Sequence, residues 1–227
     1  MTPSLPVVSG STTSASQRLL QVQAVSGAAF AVFLAVHLVN QALAVLGPAG
    51  YDAAQRTTRS VYQAPLVELL LVALPLAVHV AAAAARLLFF RLPTTAGPWR
   101  VRGFRVAGRF LLLVIAGHVV ATRGASLSGA VPEGPRFEGL AFTFQWQPAL
   151  FWPYYLLLAG FGLWHLAHGL SVGARLVGRP WLEGRSFWLV LGVGAALLVA
   201  GVVAVGSGVF DVGDPMSSPY ARWVLSW

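Results

Sequence analysis

Cysteine is absent from this 227-residue chain, which excludes disulfides, thiolate iron–sulfur ligation and thiol redox chemistry. Any redox centre here is held by histidine or by a non-covalent cofactor. Lysine is absent too, so all 15 basic residues are arginine, and only seven acids oppose them, for a formal net charge of +8. Charged residues make up 10% of the chain and hydrophobic ones 57%, with a mean hydropathy of +0.72. So little charge excludes an ordinary soluble domain and fits the lipid bilayer as solvent. The arginines fall between apolar stretches and form no solvated basic face, which argues against a nucleic-acid partner. Residues 1–23 are rich in Ser, Thr and Pro, carry only Arg18, and lack the n-region, h-region and cleavage site of a signal peptide. They are expected to form a mobile cytoplasmic tail.

Five stretches approach the roughly 20 apolar residues a helical span needs: Ala24–Leu46, Pro65–Phe90, Val106–Thr122, Leu150–Ala174 and Phe187–Phe210. The third is crowded at its start by Arg105 and Arg109, which can snorkel to the headgroups. The fold expected is an all-α integral membrane protein, a five-transmembrane-helix bundle over 24–210 with a C-terminal tail over 211–227. The connection between spans two and three carries Arg91, Arg100, Arg102 and Arg105 without an acid, and Arg175, Arg179 and Arg185 follow span four. The other side mixes arginines with Asp52, Glu133, Glu138, Asp211 and Asp214. This asymmetry places the N-terminus inside and the C-terminus outside. Trp146, Trp152, Tyr154 and Tyr155 read as interfacial anchors at the outer end of span four, and Trp181 and Trp188 at the inner end of span five.

His37, His79, His118 and His165 sit one apiece in the first four spans. Imidazole inside lipid needs a partner, and four on separate helices can make two facing pairs. At about 1.5 Å of rise per residue, His37 and His118 lie roughly 15 and 8 Å below the outer end, and His79 and His165 roughly 21 and 18 Å below it. Two pairs at two levels are what two bis-histidine b haems require. His168, one turn beyond His165 on nearly the same face, is an alternative inner ligand, although the depth of His165 agrees better with His79. Proton relays and transporters also use intramembrane histidine, but such sites add mid-depth carboxylates, and Glu68 is the sole acid inside a span. Room for a cofactor comes from Gly27, Ala28, Ala116, Gly117, Gly160, Gly162 and Gly169, and Pro75 should kink the second helix. Ser26-Gly27 stands ten residues before His37 and Ala107-Gly108 ten before His118, a trace of internal repetition.

These pieces resemble the cytochrome b membrane-anchor subunit of bacterial succinate:quinone oxidoreductases, of the five-helix, two-haem type. The resemblance rests on Ser26-Gly27 with Phe33 to Leu38, Leu74 to His79, Arg105 to Gly108 leading to His118 to Arg123, and His165 to Gly169. It covers about residues 20 to 205. It implies one haem ligated from helices one and three and another from helices two and four. It also implies a bacterial cytoplasmic-membrane location, with a flavoprotein subunit and an iron–sulfur subunit docked on the inner face. The chain itself would be the quinone-reactive subunit, not catalytic on succinate, and menaquinone is the quinone expected. Glu68, Asn40, Gln41 and Arg123, toward the outer end, are the candidate quinone contacts. In some relatives a glutamate two residues before the helix-four ligand serves proton transfer; here that position is Leu163, so the pathway does not carry over. The alternatives are another dihaem quinol-oxidising membrane subunit, whose relatives place two histidines on each of two helices, or a haem-free transporter or scaffold.

Overall fold

Hydrocarbon offers no partner to a backbone N–H or C=O, so a crossing segment must close its own hydrogen bonds as a helix. The computed structural model describes residues 14–90, 98–176, 178 and 182–227, and among the described residues there is no strand. In chain order the helices are α1 (Ser14–Ala42), α2 (Gly47–Tyr62), α3 (Pro65–Phe89), α4 (Trp99–Leu127), α5 (Phe137–Trp146), α6 (Pro148–Leu176), α7 (Gly184–Gly206) and α8 (Pro219–Val224). Five of them, α1, α3, α4, α6 and α7, are long and apolar enough to cross a membrane. Leu66, Leu88 and Leu113 are 73%, 78% and 82% exposed, and hydrocarbon is the solvent that such a surface requires. The chain is a multi-pass, all-α membrane protein.

The span boundaries differ from the sequence reading in physically simple ways. Residues 14–23 contain neither Pro nor Gly, and α1 runs through them to Ser14, so this part of the expected tail is helical. The crowded third span is the long helix α4: its arginines occupy the first turns, and Pro98 precedes it in an extended conformation. The last span stops at Gly206 because Gly208 turns left-handed, with φ of 70°. Residues 1–13 of the expected tail, with Arg91, Arg179 and Trp181, lie outside the described residues. Trp188 stacks on Trp99 at 5.6 Å within an aromatic group that includes Trp164 and Phe187.

Helix α1 packs against α3, α6 and α7, and α4 packs against α6, whereas α3 and α4 make little contact with each other. Four helices thus form a frame open between α3 and α4, with α7 braced against α1 and α6. Pro75 lacks an N–H and its ring crowds the preceding turn, and α3 absorbs both faults in a π-helical segment, Glu68–Ala73, just ahead of it. A second wide segment, Val120–Gly124, interrupts α4, where the Thr122 hydroxyl donates to the His118 carbonyl at 2.7 Å.

One end of the frame is closed by a cap made of α2, α5 and the C-terminal residues. Ala44, Tyr51, Phe137, Ala141, Phe144 and Val205 form one buried cluster there, and Ala125, Val131, Phe142, Tyr220 and Ala221 a second. Helix α1 turns into α2 at Gly47, whose φ of 76° suits glycine and whose missing side chain leaves room for the Phe210 ring. Asp52 on α2 accepts the Phe137 N–H at 3.0 Å, so one helix caps the start of another. Ser218 caps α8 by accepting from the Ala221 N–H at 3.1 Å. Burial pushes the Tyr220 hydroxyl up to about 12, so it stays neutral inside the cap. Asp52→Ala removes the α5 cap and should lower stability by about 1 kcal/mol, read as an earlier unfolding transition in detergent.

Candidate functional site

The open frame sets four of the five histidines of its spanning helices across its diagonals. His37 on α1 faces His118 on α4, and His79 on α3 faces His165 on α6. In each pair the ring centroids are 6.0 Å apart, with planes crossed at 77° and 84° respectively. The His37–His118 pair lies nearer the cap and the His79–His165 pair nearer the opposite end. His168, one turn past His165, packs against Phe104 at 4.7 Å, while Phe104 stacks on His165 at 4.5 Å. The ring that meets His79 is therefore that of His165.

Backbone on a neighbouring helix orients one ring of the deeper pair, and a glycine makes room for each. His79 Nδ1 lies 2.9 Å from the Gln23 carbonyl. A carbonyl only accepts, so Nδ1 carries the proton and Nε2 is left with a lone pair, the tautomer a metal ligand needs. Gly27, one turn beyond Gln23, makes this approach possible, because a Cβ there would stand 2.8 Å from the His79 ring. On the opposite diagonal a Cβ on Gly108 would meet His165 at 3.3 Å. The Phe104 ring, one turn before Gly108, stacks on His165, whose Nδ1 is buried without a hydrogen-bond partner. The repeated glycine ten residues before His37 and His118 thus has a physical use. Each helix gives one histidine to the capped level and clears space for a histidine of the other level.

All four histidines line one continuous cavity of about 1590 Å³ that runs from Arg86 and Arg175 at one end to Arg59 and Glu68 at the capped end. Pockets for drug-sized ligands span roughly 300–1,000 Å³, so this one has room for more than one such group. Two imidazoles sharing a metal in line hold their nitrogens about 4 Å apart, and their ring centres about 6 Å apart. Rings packed edge to face can show the same separation, but rings packed only for their own sake would not line a void. Among the described residues no three His, Cys, Asp or Glu side chains converge as a cage for a bare ion. Paired histidines suit instead a metal that arrives in a macrocycle and needs two axial ligands. Unfilled donors at the uncapped end agree with an anionic rim on that group: His168 Nδ1 and Arg86 Nε are buried without hydrogen-bond partners.

At the capped end Glu68 and Arg123 form a two-pronged ion pair, with Arg123 Nε and an Nη donating to the two carboxylate oxygens at 2.5 and 2.7 Å. Each residue lies in one of the two π-helical segments. The pair bridges α3 and α4 across the open side of the frame. Gln41 lines the same cavity and accepts from the Tyr51 hydroxyl at 3.1 Å, and Gln55 donates to that hydroxyl at 2.6 Å. Asn40 is placed elsewhere. One residue along a helix turns the side chain by about 100°, and Asn40 is buried against Thr58 of α2, donating to its hydroxyl at 3.3 Å.

Three contributors carry no clear mark in the sequence. Gln23 acts through its carbonyl, which every residue type possesses. Tyr154 resembles an interfacial anchor, yet its hydroxyl lies 3.3 Å from His118 Nδ1. Phe104 is signalled only by its place one turn before Gly108. The chain matches no family model, no curated protein and no solved structure.

The Glu68–Arg123 pair is about a quarter exposed, so removing one partner strands a poorly hydrated charge. Glu68→Gln should cost about 1–3 kcal/mol. A double-mutant cycle with Arg123→Gln, followed by unfolding in detergent, should return a coupling of about 1 kcal/mol or more.

Proposed function

We propose that this chain is the cytochrome b membrane-anchor subunit of a succinate:quinone oxidoreductase, binding two b haems and passing electrons between an iron–sulfur subunit and a membrane quinone. The observation that carries the reading is the pair of equal histidine separations, on two levels of one cavity, drawn from four different helices. His37 and His118 would hold the haem of one level, and His79 and His165 that of the other. Bound haem supplies one-electron transfer through the depth of the bundle, with potentials tuned by axial ligands, hydrogen bonds and burial.

The chain's own groups do the rest. The Gln23 carbonyl fixes the His79 tautomer, and the glycines at 27 and 108 allow both rings of the deeper level to settle against a helix. The apolar walls exclude water from the electron path. Quinone is placed at the capped end, where Glu68, Arg123 and Gln41 line the cavity; menaquinone is the quinone proposed. The uncapped face carries Arg100, Arg102, Arg105 and Arg109 on the first turns of α4. A positive-inside bias puts this face in the cytoplasm of a bacterial cell and the cap outside. The same arginines suit docking by acidic patches of an iron–sulfur and a flavoprotein subunit.

The purified chain should show low-spin b-type bands on reduction, and co-purified partners should support succinate-dependent quinone reduction. A spectrum without haem bands would end the proposal. His118→Ala should remove the capped-level haem and spare the other, whereas Gly27→Ala should do the reverse by displacing His79. His165→Ala should lose the deeper haem, and His168→Ala should keep it. With their planes crossed at 77° and 84°, the two histidine pairs would give ferric haem a highly anisotropic low-spin resonance. Parallel-plane signals at both centres would contradict the ring orientations.

A further inference from the structure

The capped end of the cavity holds a second cation whose donors are not filled. Arg123 spends Nε and an Nη on the two oxygens of Glu68. Arg59, on α2, uses one Nη for a long bond of 3.4 Å to the Pro135 carbonyl, and its Nε is buried without a partner. Close by, the Ser126 hydroxyl is also buried without a partner. The two residues meet around Gly134: a Cβ built there would lie 2.4 Å from an Arg59 Nη and 2.9 Å from Ser126 Oγ. Gly134 has a φ of 66°, a conformation that glycine adopts without strain. Arg59, Ser126 and Pro135 all line the cavity that the four histidines share.

Their position relative to the capped-level pair is fixed by aromatic contacts. Phe33 stacks on His37 at 5.6 Å and meets Tyr62 edge-on at 5.1 Å, and Tyr62 is one turn beyond Arg59 on α2. Arg59 and Ser126 both line this cavity and each keeps a donor that no protein acceptor fills, so an acceptor brought by a ligand would suit them. Leaving such donors empty is costly, and more so for a charged group. A carboxylate fits best, since it takes a charge-assisted bond from the guanidinium and a second bond from the hydroxyl.

Building on the dihaem reading, we infer that Arg59 and Ser126 form the binding site for a propionate carboxylate of the capped-level haem. The site joins the haem to the cap, because the same guanidinium reaches the Pro135 carbonyl in the loop before α5. It also sets a fixed positive charge beside that haem, which favours its reduced state. Arg123 cannot substitute while Glu68 neutralises it.

Redox titration of the full chain, purified with both haems, tests the site. In Arg59→Gln the haem that His118→Ala eliminates should show a lower midpoint potential, and the other haem's midpoint should not move. Arg59→Lys, which keeps the charge, should recover most of the difference. A role confined to bracing the cap would leave the midpoints alone. If Arg59→Gln does not assemble, Ser126→Ala removes only a hydroxyl and should lower the same midpoint by a smaller step. Unmoved midpoints in the variants that assemble, or a shift confined to the deeper haem, would overturn the assignment. So would unmoved midpoints accompanied by a raised KM for quinone, which would mark a quinone contact. A native chain without haem sinks the dihaem reading itself, whereas two haems with unmoved midpoints sink only the propionate site.

Discussion

An imidazole surrounded by hydrocarbon has two nitrogens to satisfy, and the interior of this bundle is organised by that demand. One nitrogen of His79 is met by the Gln23 carbonyl, and one of His118 lies beside the Tyr154 hydroxyl. All four histidines line a shared cavity. Close packing of α3 on α4 would close that space, and these two helices stand apart. The Glu68–Arg123 pair then ties the separated helices together at one end, where both charges stay partly solvated. The void, the crossed histidine pairs and the clasp are therefore linked consequences of one demand.

Economy of design shows in how α1 and α4 are used. Each places a histidine at the capped level and a glycine ten residues earlier against a histidine of the deeper level. A displacement of either helix along its axis would disturb both levels together. A rotation would turn the glycine away and drive a larger side chain into the His79 or His165 ring. The two levels are thus mechanically coupled although no histidine belongs to both pairs. On the outward face of α1, Val25, Val32 and Val39 are more than half exposed.

How much of this could be read from residues alone depends on which physical signal each part carries. The five spans were legible because about 20 apolar residues have few other fates. The two levels of histidine were legible because helical rise converts sequence position into depth. The placing of His165 against His79 was only a matter of degree in the sequence, because His168 shares nearly the same face; Phe104 separates their surroundings in the structure. Helix α2 went unseen, since its mixed polar sequence is short and carries no span signal, yet it supplies Asp52, Gln55 and Arg59. Asn40 and Gln41 looked equivalent as neighbours in sequence, and the helical turn between them sends one to Thr58 and the other to the cavity. Backbone acceptors such as Gln23 leave no trace in composition at all.

The cap has a consequence for how the protein is made. Its second cluster depends on Tyr220 and Ala221, and Tyr220 and Val224 also wall the cavity. These residues are synthesised after all five spans, and chains commonly begin to fold from the N-terminal side during synthesis. The frame can therefore be in place while one mouth of its interior is still unsealed. Translation itself supplies an interval in which the interior stands open, before Tyr220 and Val224 complete its wall.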